Sequence, residues 1–215
     1  ATTTTTRVTT TTTPTGSTTS PSTSASTTSA VEQTTVLVYL VRGEAVGPVG
    51  RPGARPTPAR SAIEELLKGP TAADKAAGLT TAIPAGTKLR SINIADGTAT
   101  VDLTATFGSG GGSLSMQERV AQVVYTLTQF STVKRVAFRL DGKPATALGG
   151  EGLMIDTPQT RNDWESMTPA ILVESPLPGA TLTSPFALAG TANTFEATFM
   201  VSLTDAKGKK LYEHF

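Results

Sequence analysis

Tyr125-Thr-Leu-Thr-Gln-Phe-Ser-Thr-Val-Lys-Arg-Val-Ala-Phe-Arg-Leu-Asp-Gly-Lys143 is the stretch on which the fold turns. It reads as the end of an amphipathic helix, a short turn, an alternating strand and an Asp-Gly turn. Upstream, Met116, Val120, Val123, Val124 and Leu127 recur at helical spacing, and Phe130 extends that apolar face. Ser115-Met-Gln-Glu118 has the pattern of a capping box, so the helix is expected to start there. In Arg135–Leu140, Val136, Phe138 and Leu140 alternate onto one face, leaving Arg135, Ala137 and Arg139 on the other. A helix with one apolar stripe followed by a strand with one apolar face specifies a helix packed on a sheet.

Working outward, Lys88–Ile94 and Thr98–Leu103 are strands separated by Asp96-Gly97, a strong hairpin signal. Val36-Leu-Val-Tyr-Leu-Val41 reads as a buried strand. Gly47-Pro48 through Arg55-Pro56 is expected to be a Gly/Pro/Arg-rich loop. Thr57-Pro58 then offers a helix start, Ile63, Leu66 and Leu67 its apolar face, and Gly69-Pro70 its stop. Strand, helix, two strands, helix, strand makes an α+β domain: a mixed sheet of about four strands covered on one face by two helices. The polar sheet face, or an unpaired edge, is where a partner could dock.

Four segments follow from composition. Residues 1–34, mostly Thr and Ser at the start, are expected to be a disordered linker, because such a segment buries too little apolar surface to offset the entropy of ordering it. Residues 35–148 form the α+β domain and 149–168 a connector containing Trp164. Residues 169–215 carry short strand-like runs at Ile171–Val173, Phe186–Leu188 and Ala197–Leu203, the pattern of a β-sandwich. That is about half the ~100 residues an immunoglobulin-like sandwich takes, so the second unit is expected to be the truncated N-terminal part of an all-β domain.

The chemistry-bearing residues are sparse. Cysteine is absent, which excludes thiol catalysis, zinc ribbons and disulfides, and the single histidine is His214. A Ser-His-Asp triad or imidazole metal site would have to be built on a terminal residue. Glu64 and Glu65 lie on a helix, Asp102 is expected to point to solvent, and Asp141 sits in a turn. No pair of carboxylates is placed across a cleft as glycoside hydrolysis requires. The Gly108–Gly112 run precedes a helix but lacks a P-loop ending. No catalytic, cofactor or metal site is therefore assigned. With a net charge of +1, the chain lacks the dense basic stripe of a nucleic-acid binder. Trp164 could stack on a carbohydrate or pack the connector against a domain. Trp164, Arg135 and Arg139 are the candidate contact residues.

Several blocks together resemble a known family. Val36-Leu-Val-Tyr-Leu-Val41, Ala62-Ile-Glu-Glu-Leu-Leu-Lys-Gly-Pro70, Gly78-Leu-Thr-Thr-Ala-Ile-Pro-Ala-Gly-Thr87, Ala99-Thr-Val-Asp-Leu103 and the opening stretch are similar, in order, to the GerM-type sporulation and spore germination (GerMN) domain. Ile171–Ala180, Ser184–Ala192 and Phe195-Glu196 resemble the immunoglobulin-like domain of bacterial spore germination proteins. The resemblance implies a secreted or lipid-anchored protein of a bacterial cell envelope, Gram-positive; separately, the opening at Ala1 inside a Thr tract leads us to expect a removed signal sequence or a lipid-bearing cysteine just upstream. It also implies a non-enzymatic scaffold whose partners are envelope proteins, or alternatively cell-wall glycan.

Overall fold

A computed structural model of the chain describes residues 32–150 and 152–214; most of the 1–34 linker expectation lies outside them. The first two strands, β1 (Gln33–Arg42) and β2 (Ala45–Ala54), pair antiparallel along their whole length. This corrects the expected loop at Gly47–Pro56, and the register explains how a Gly/Pro-rich segment can be a strand. Arg42 opposite Ala45 closes a two-residue turn, so the odd-numbered residues of β2 bond to β1 and the even-numbered ones face away. Pro48 and Pro52 both fall on the outward register, where a missing N–H costs no ladder bond. Gly53 is needed for close approach, since a Cβ there would sit 2.5 Å from Val36 Cγ1.

Helix α1 (Pro58–Leu67) buries Ile63 and Leu66 as its spacing predicts, together with Ala59 and Ala62, while Leu67 is only half-buried and the Thr57 side chain makes no capping bond. A short helix α2 (Ala72–Ala76), unanticipated from the sequence, starts at a capping box between Thr71 and Asp74. Thr71 donates its backbone N–H (2.7 Å) and hydroxyl (2.6 Å) to Asp74 Oδ2, and Arg51 of β2 pairs with the same oxygen. Burial acts to raise the Asp74 pKa, but the Thr71 hydrogen bonds and the Arg51 charge outweigh it and hold the carboxyl below its ordinary value. A depressed carboxylate pKa gives stability that is present above the unfolded-state value and lost as pH falls through the folded-state one. Asp74→Asn should therefore cost about 1–2 kcal/mol at neutral pH. The gap from wild type should close on acidification below about pH 4. Urea titrations at several pH values measure it, and a gap constant into acid contradicts the assignment.

The sheet has the order β3-β4-β5-β6, formed by Leu89–Ala95, Thr98–Leu103, Arg135–Leu140 and Lys143–Pro144. β3 and β4 are antiparallel through Asp96-Gly97, both left-handed as a type I′ turn requires. β4 and β5 are parallel, and the Asp141-Gly142 turn returns the chain into β6. The mixed four-stranded sheet is thus present, but its fourth strand is β6. The strand expected there at Val36–Val41 instead belongs to the β1–β2 hairpin.

Helix α3 (Ser113–Leu127) connects β4 to β5 and supplies the core: Met116, Val120, Val123, Val124 and Leu127 are all buried. With α1 it covers the apolar face of the sheet, where Ala99, Val101, Val136 and Phe138 are buried and Phe107 stacks on Phe138 at 5.9 Å. The expected capping box at Ser115–Glu118 is not formed. The N-cap is Gly112, three residues earlier and without a side-chain cap, and Ser115 Oγ accepts from Arg119 instead. Nor is α3 polar on its far side. Gln122 and Thr126 are fully buried because they close the free edge of β1. Gln129 both accepts from and donates to the Leu37 backbone at 2.7 Å, Thr126 accepts from Tyr39 N–H at 3.1 Å, and Gln122 donates to Tyr39 C=O at 2.8 Å. Amide and hydroxyl side chains do the work of a neighbouring strand.

Beyond the sheet, β7 (Ala147–Leu148) and β8 (Leu153–Met154) form a short hairpin, and a 3-10 segment spans Asn162–Met167. Two strand pairs follow: β9 (Ile171–Ser175) with β10 (Ala189–Ala192), and β11 (Val201–Thr204) with β12 (Lys210–His214). Leu188, Phe195, Leu211 and Tyr212 are exposed there, as befits a few all-β strands with little beneath them. Ile155, Trp164, Met167 and Leu172 are buried in the same core as β1 and α3.

Candidate functional site

The polar face of the sheet is built as the alternation predicts. Cross-strand neighbours share a face, so Arg135, Ala137 and Arg139 of β5 lie beside Thr98, Thr100 and Asp102 of β4, with Ala95, Asn93 and Ser91 of β3 beyond. Arg135 is exposed and donates through Nε to Thr98 Oγ1 at 2.8 Å; Arg139 donates to the Gly142 carbonyl. Neither guanidinium has a carboxylate partner among the described residues. Asp102 departs from its expected exposure. It lies on the outward face yet is buried, accepting from Gly142 N–H at 3.0 Å and lying 3.5 Å from Arg90, which also reaches Asp141. Asp102 fixes the Asp141-Gly142 turn.

Trp164 is not on this face. It is 7% exposed, and its Nε1–H donates to Gln159 Oε1 at 3.1 Å. The Gln159 backbone in turn exchanges two hydrogen bonds with Val136 at the far edge of β5. The indole therefore packs the connector onto the domain, and its faces are unavailable as a carbohydrate platform.

A cluster that pattern reading missed joins four regions distant in sequence. Arg161 stands over the Tyr125 ring at 4.8 Å and the Tyr39 ring at 5.8 Å from their centroids. Its Nε donates to Thr128 Oγ1 at 2.8 Å and its Nη1 pairs with Glu174 at 2.9 Å. The Tyr39 hydroxyl donates to the same carboxylate. Burial and then the Glu174 hydrogen bond push the Tyr39 pKa far up, so the phenol stays protonated as a donor. Burial works against the Arg161 charge, but the surrounding Tyr39 and Glu174 hold its pKa above the ordinary value. β1, α3, the connector and β9 thereby meet at one cation. The sequence hint was slight: Glu174 shares a strand face with Leu172, a carboxylate where burial was due.

The second surprise is Arg119, 3% exposed on α3. Its guanidinium donates to the carbonyls of Ala82, Phe107, Ser109 and Gly110 at 2.7–2.8 Å, and to Ser115 Oγ at 3.2 Å. The glycine run is thus wrapped around a cation, and burial lowers the Arg119 pKa. An anion cradle would present N–H groups instead.

Among the described residues no group of three or more His, Cys, Asp or Glu is placed to hold a metal, and no helix is long and apolar enough to cross a membrane. His214 is exposed on β12, 6.3 Å between ring centroids from Tyr212. Two hollows stand out by volume. One of about 630 Å³ runs between β2 and β9, lined by Val46, Gly50, Leu79, Leu172 and Leu177. Another of about 1060 Å³ lies among Leu182, Phe186, Leu188, Phe199, Leu203 and Tyr212. Both are mainly apolar; the second also has Ser184, Ser202 and His214 in its lining, and among the described residues no hydrogen bond joins either serine to the imidazole.

Known proteins give this architecture a lineage. The sequence profile described as "Sporulation and spore germination" matches residues 5–146, and that of the "Immunoglobulin-like domain of bacterial spore germination" matches residues 170–215. Among solved structures, the tandem GerMN domains of the sporulation protein GerM from Bacillus subtilis are 24% identical, with a TM-score of 0.51. That match covers 61% of this chain and 48% of the other, so this chain spans about half the length of the tandem structure. The first GerMN domain of the same protein is 24% identical with a TM-score of 0.48, over 60% of this chain and 99% of that one. No curated protein matches. With its helix-covered mixed sheet matched over most of the sequence and its β9–β12 segment matched by the second profile, the chain belongs to the sporulation and spore germination domain family, here followed by an immunoglobulin-like germination domain.

Proposed function

We propose that this chain is a non-enzymatic scaffold or protein-interaction module of a bacterial envelope protein, exported or lipid-anchored, that engages its partner through the polar face of the β3–β6 sheet. One observation carries the reading: Arg135 and Arg139 stand on that face, four residues apart with Ala137 between them, without carboxylate partners among the described residues. The Arg161 cluster supports it further, because a fixed relation between two domains suits a spacer or adaptor. A wall-glycan role loses the indole platform, since Trp164 is in the core, and rests on the arginines alone.

The test uses the full chain immobilised against envelope extracts. A discrete protein retained by wild type and lost with Arg135→Glu/Arg139→Glu, at unchanged thermal stability, is the expected result. Retention of glycan alone, or a protein bound equally by the variant, overturns the reading.

A further inference from the structure

Four strands of the germination-type domain have an edge that could accept another strand, and three of those edges are closed by different devices. β1 is capped by Gln129, Thr126 and Gln122 and by two bonds to Thr80. β2 presents Pro48 and Pro52 outward. β5 is bonded on its far side to Gln159, Ala145 and β6. β3 alone of the four has no such device on its outward register among the described residues. It carries no proline, and its ladder runs regularly from Ser91 to Ala95 after a bulge at Leu89/Ser91. Natural sheets rarely leave such an edge unprotected.

The Asp96-Gly97 turn sets Ala95 opposite Thr98, so Ser91, Asn93 and Ala95 bond to β4 while Ile92 and Ile94 turn their backbone groups outward. Read about Asn93, the strand is complementary to itself when reversed. Isoleucine stands one residue away on each side, small Ser91 and Ala95 two away, and Arg90 and Asp96 three away. We propose that β3 is the pairing edge for a second copy of this chain, joined antiparallel about a two-fold axis through Asn93. Ile92 then lies opposite Ile94 of the second copy, and the reverse, each pair exchanging both backbone hydrogen bonds. At both ends Arg90, at the bulge and already reaching Asp102 and Asp141 of its own chain, lies towards the Asp96 turn of the second copy. Ile94, 38% exposed in the single chain, gains an apolar cross-strand neighbour. The apolar pattern selects this register, since centring on Ile92 would set Ile94 against Arg90 and leave it without an apolar neighbour. The ladder is short, so the dimer is reversible and depends on concentration.

The absence of native cysteine makes a clean trap. Asn93→Cys places two thiols on the axis in a non-hydrogen-bonded pair, about 4.5 Å apart at Cα, within disulfide reach. Ser91→Cys faces Ala95 of the second copy and lies roughly 13 Å from its own counterpart. Under a mild oxidant the Asn93→Cys chain should form a disulfide dimer at least about tenfold faster than Ser91→Cys, because pairing raises the effective thiol concentration. Adding Ile94→Pro removes an outward N–H without touching the β3–β4 ladder and should bring the rate down to that of Ser91→Cys. Ile94→Lys serves the same purpose if circular dichroism shows the proline variant unfolded. Equal rates for the two cysteines, or a fast rate that survives the Ile94 change, overturn the proposal. So does a β3 edge that binds an unrelated strand while Asn93→Cys stays monomeric.

Discussion

Arg119→Ala should destabilise the chain more than any other single substitution on α3, by about 3 kcal/mol or more in urea denaturation. The side chain is buried, and five donors on one rigid fork reach four carbonyls and a hydroxyl in three separate segments. Alanine leaves the Phe107, Ser109 and Gly110 carbonyls without their donor and opens a void beside α3. Arg119→Lys keeps the charge but cannot span the same acceptors, and should recover less than half of the loss. If lysine matched arginine, the fork geometry would be irrelevant and charge alone would hold the loop. Amide exchange should also rise across residues 108–112 in the alanine variant, which a general loss of packing would not confine to that loop.

Arg161→Ala is expected to cost about 2–4 kcal/mol. The upper end for a buried pair is reduced because both side chains keep some exposure, 24% for Arg161 and 19% for Glu174. The Glu174 carboxylate would stay beside Tyr39 without its cation, and the stacking on Tyr125 and Tyr39 would be lost. The double change Arg161→Leu/Glu174→Leu should be milder than the sum of the single ones, with a coupling of about 1–3 kcal/mol. Limited proteolysis within residues 156–178 should accelerate in Arg161→Ala and less so in the double variant. Additive single effects, or unchanged cleavage, would mean that the cluster does not fasten β9 to the first domain.

These two arginines also mark where pattern reading reaches its limit. The α3 stripe, the β5 alternation and both Asp-Gly turns were legible because each is a local periodicity or a backbone preference. Arg119 and Arg161 resemble ordinary surface cations in sequence, and their roles exist only because Ala82, Phe107, Tyr39 and Glu174 arrive from elsewhere in the chain. β2 was misread for a related reason. Pro48 and Pro52 argue for a loop until pairing shows that both fall on the outward register. Trp164 carried two readings by chemistry alone, and burial against the Gln159 side chain decided between them.

By itself, then, the sequence determined an α+β domain with helices on one sheet face, the polar character of the other face, and an all-β segment after it. Its order of blocks determined the family. Tertiary structure decided which strands share a sheet, which edges are closed, and which polar side chains are buried. The physical reason is that periodicity reports whether a residue faces apolar surroundings. The partner of a buried donor or cation, by contrast, is set by contacts across dozens of residues.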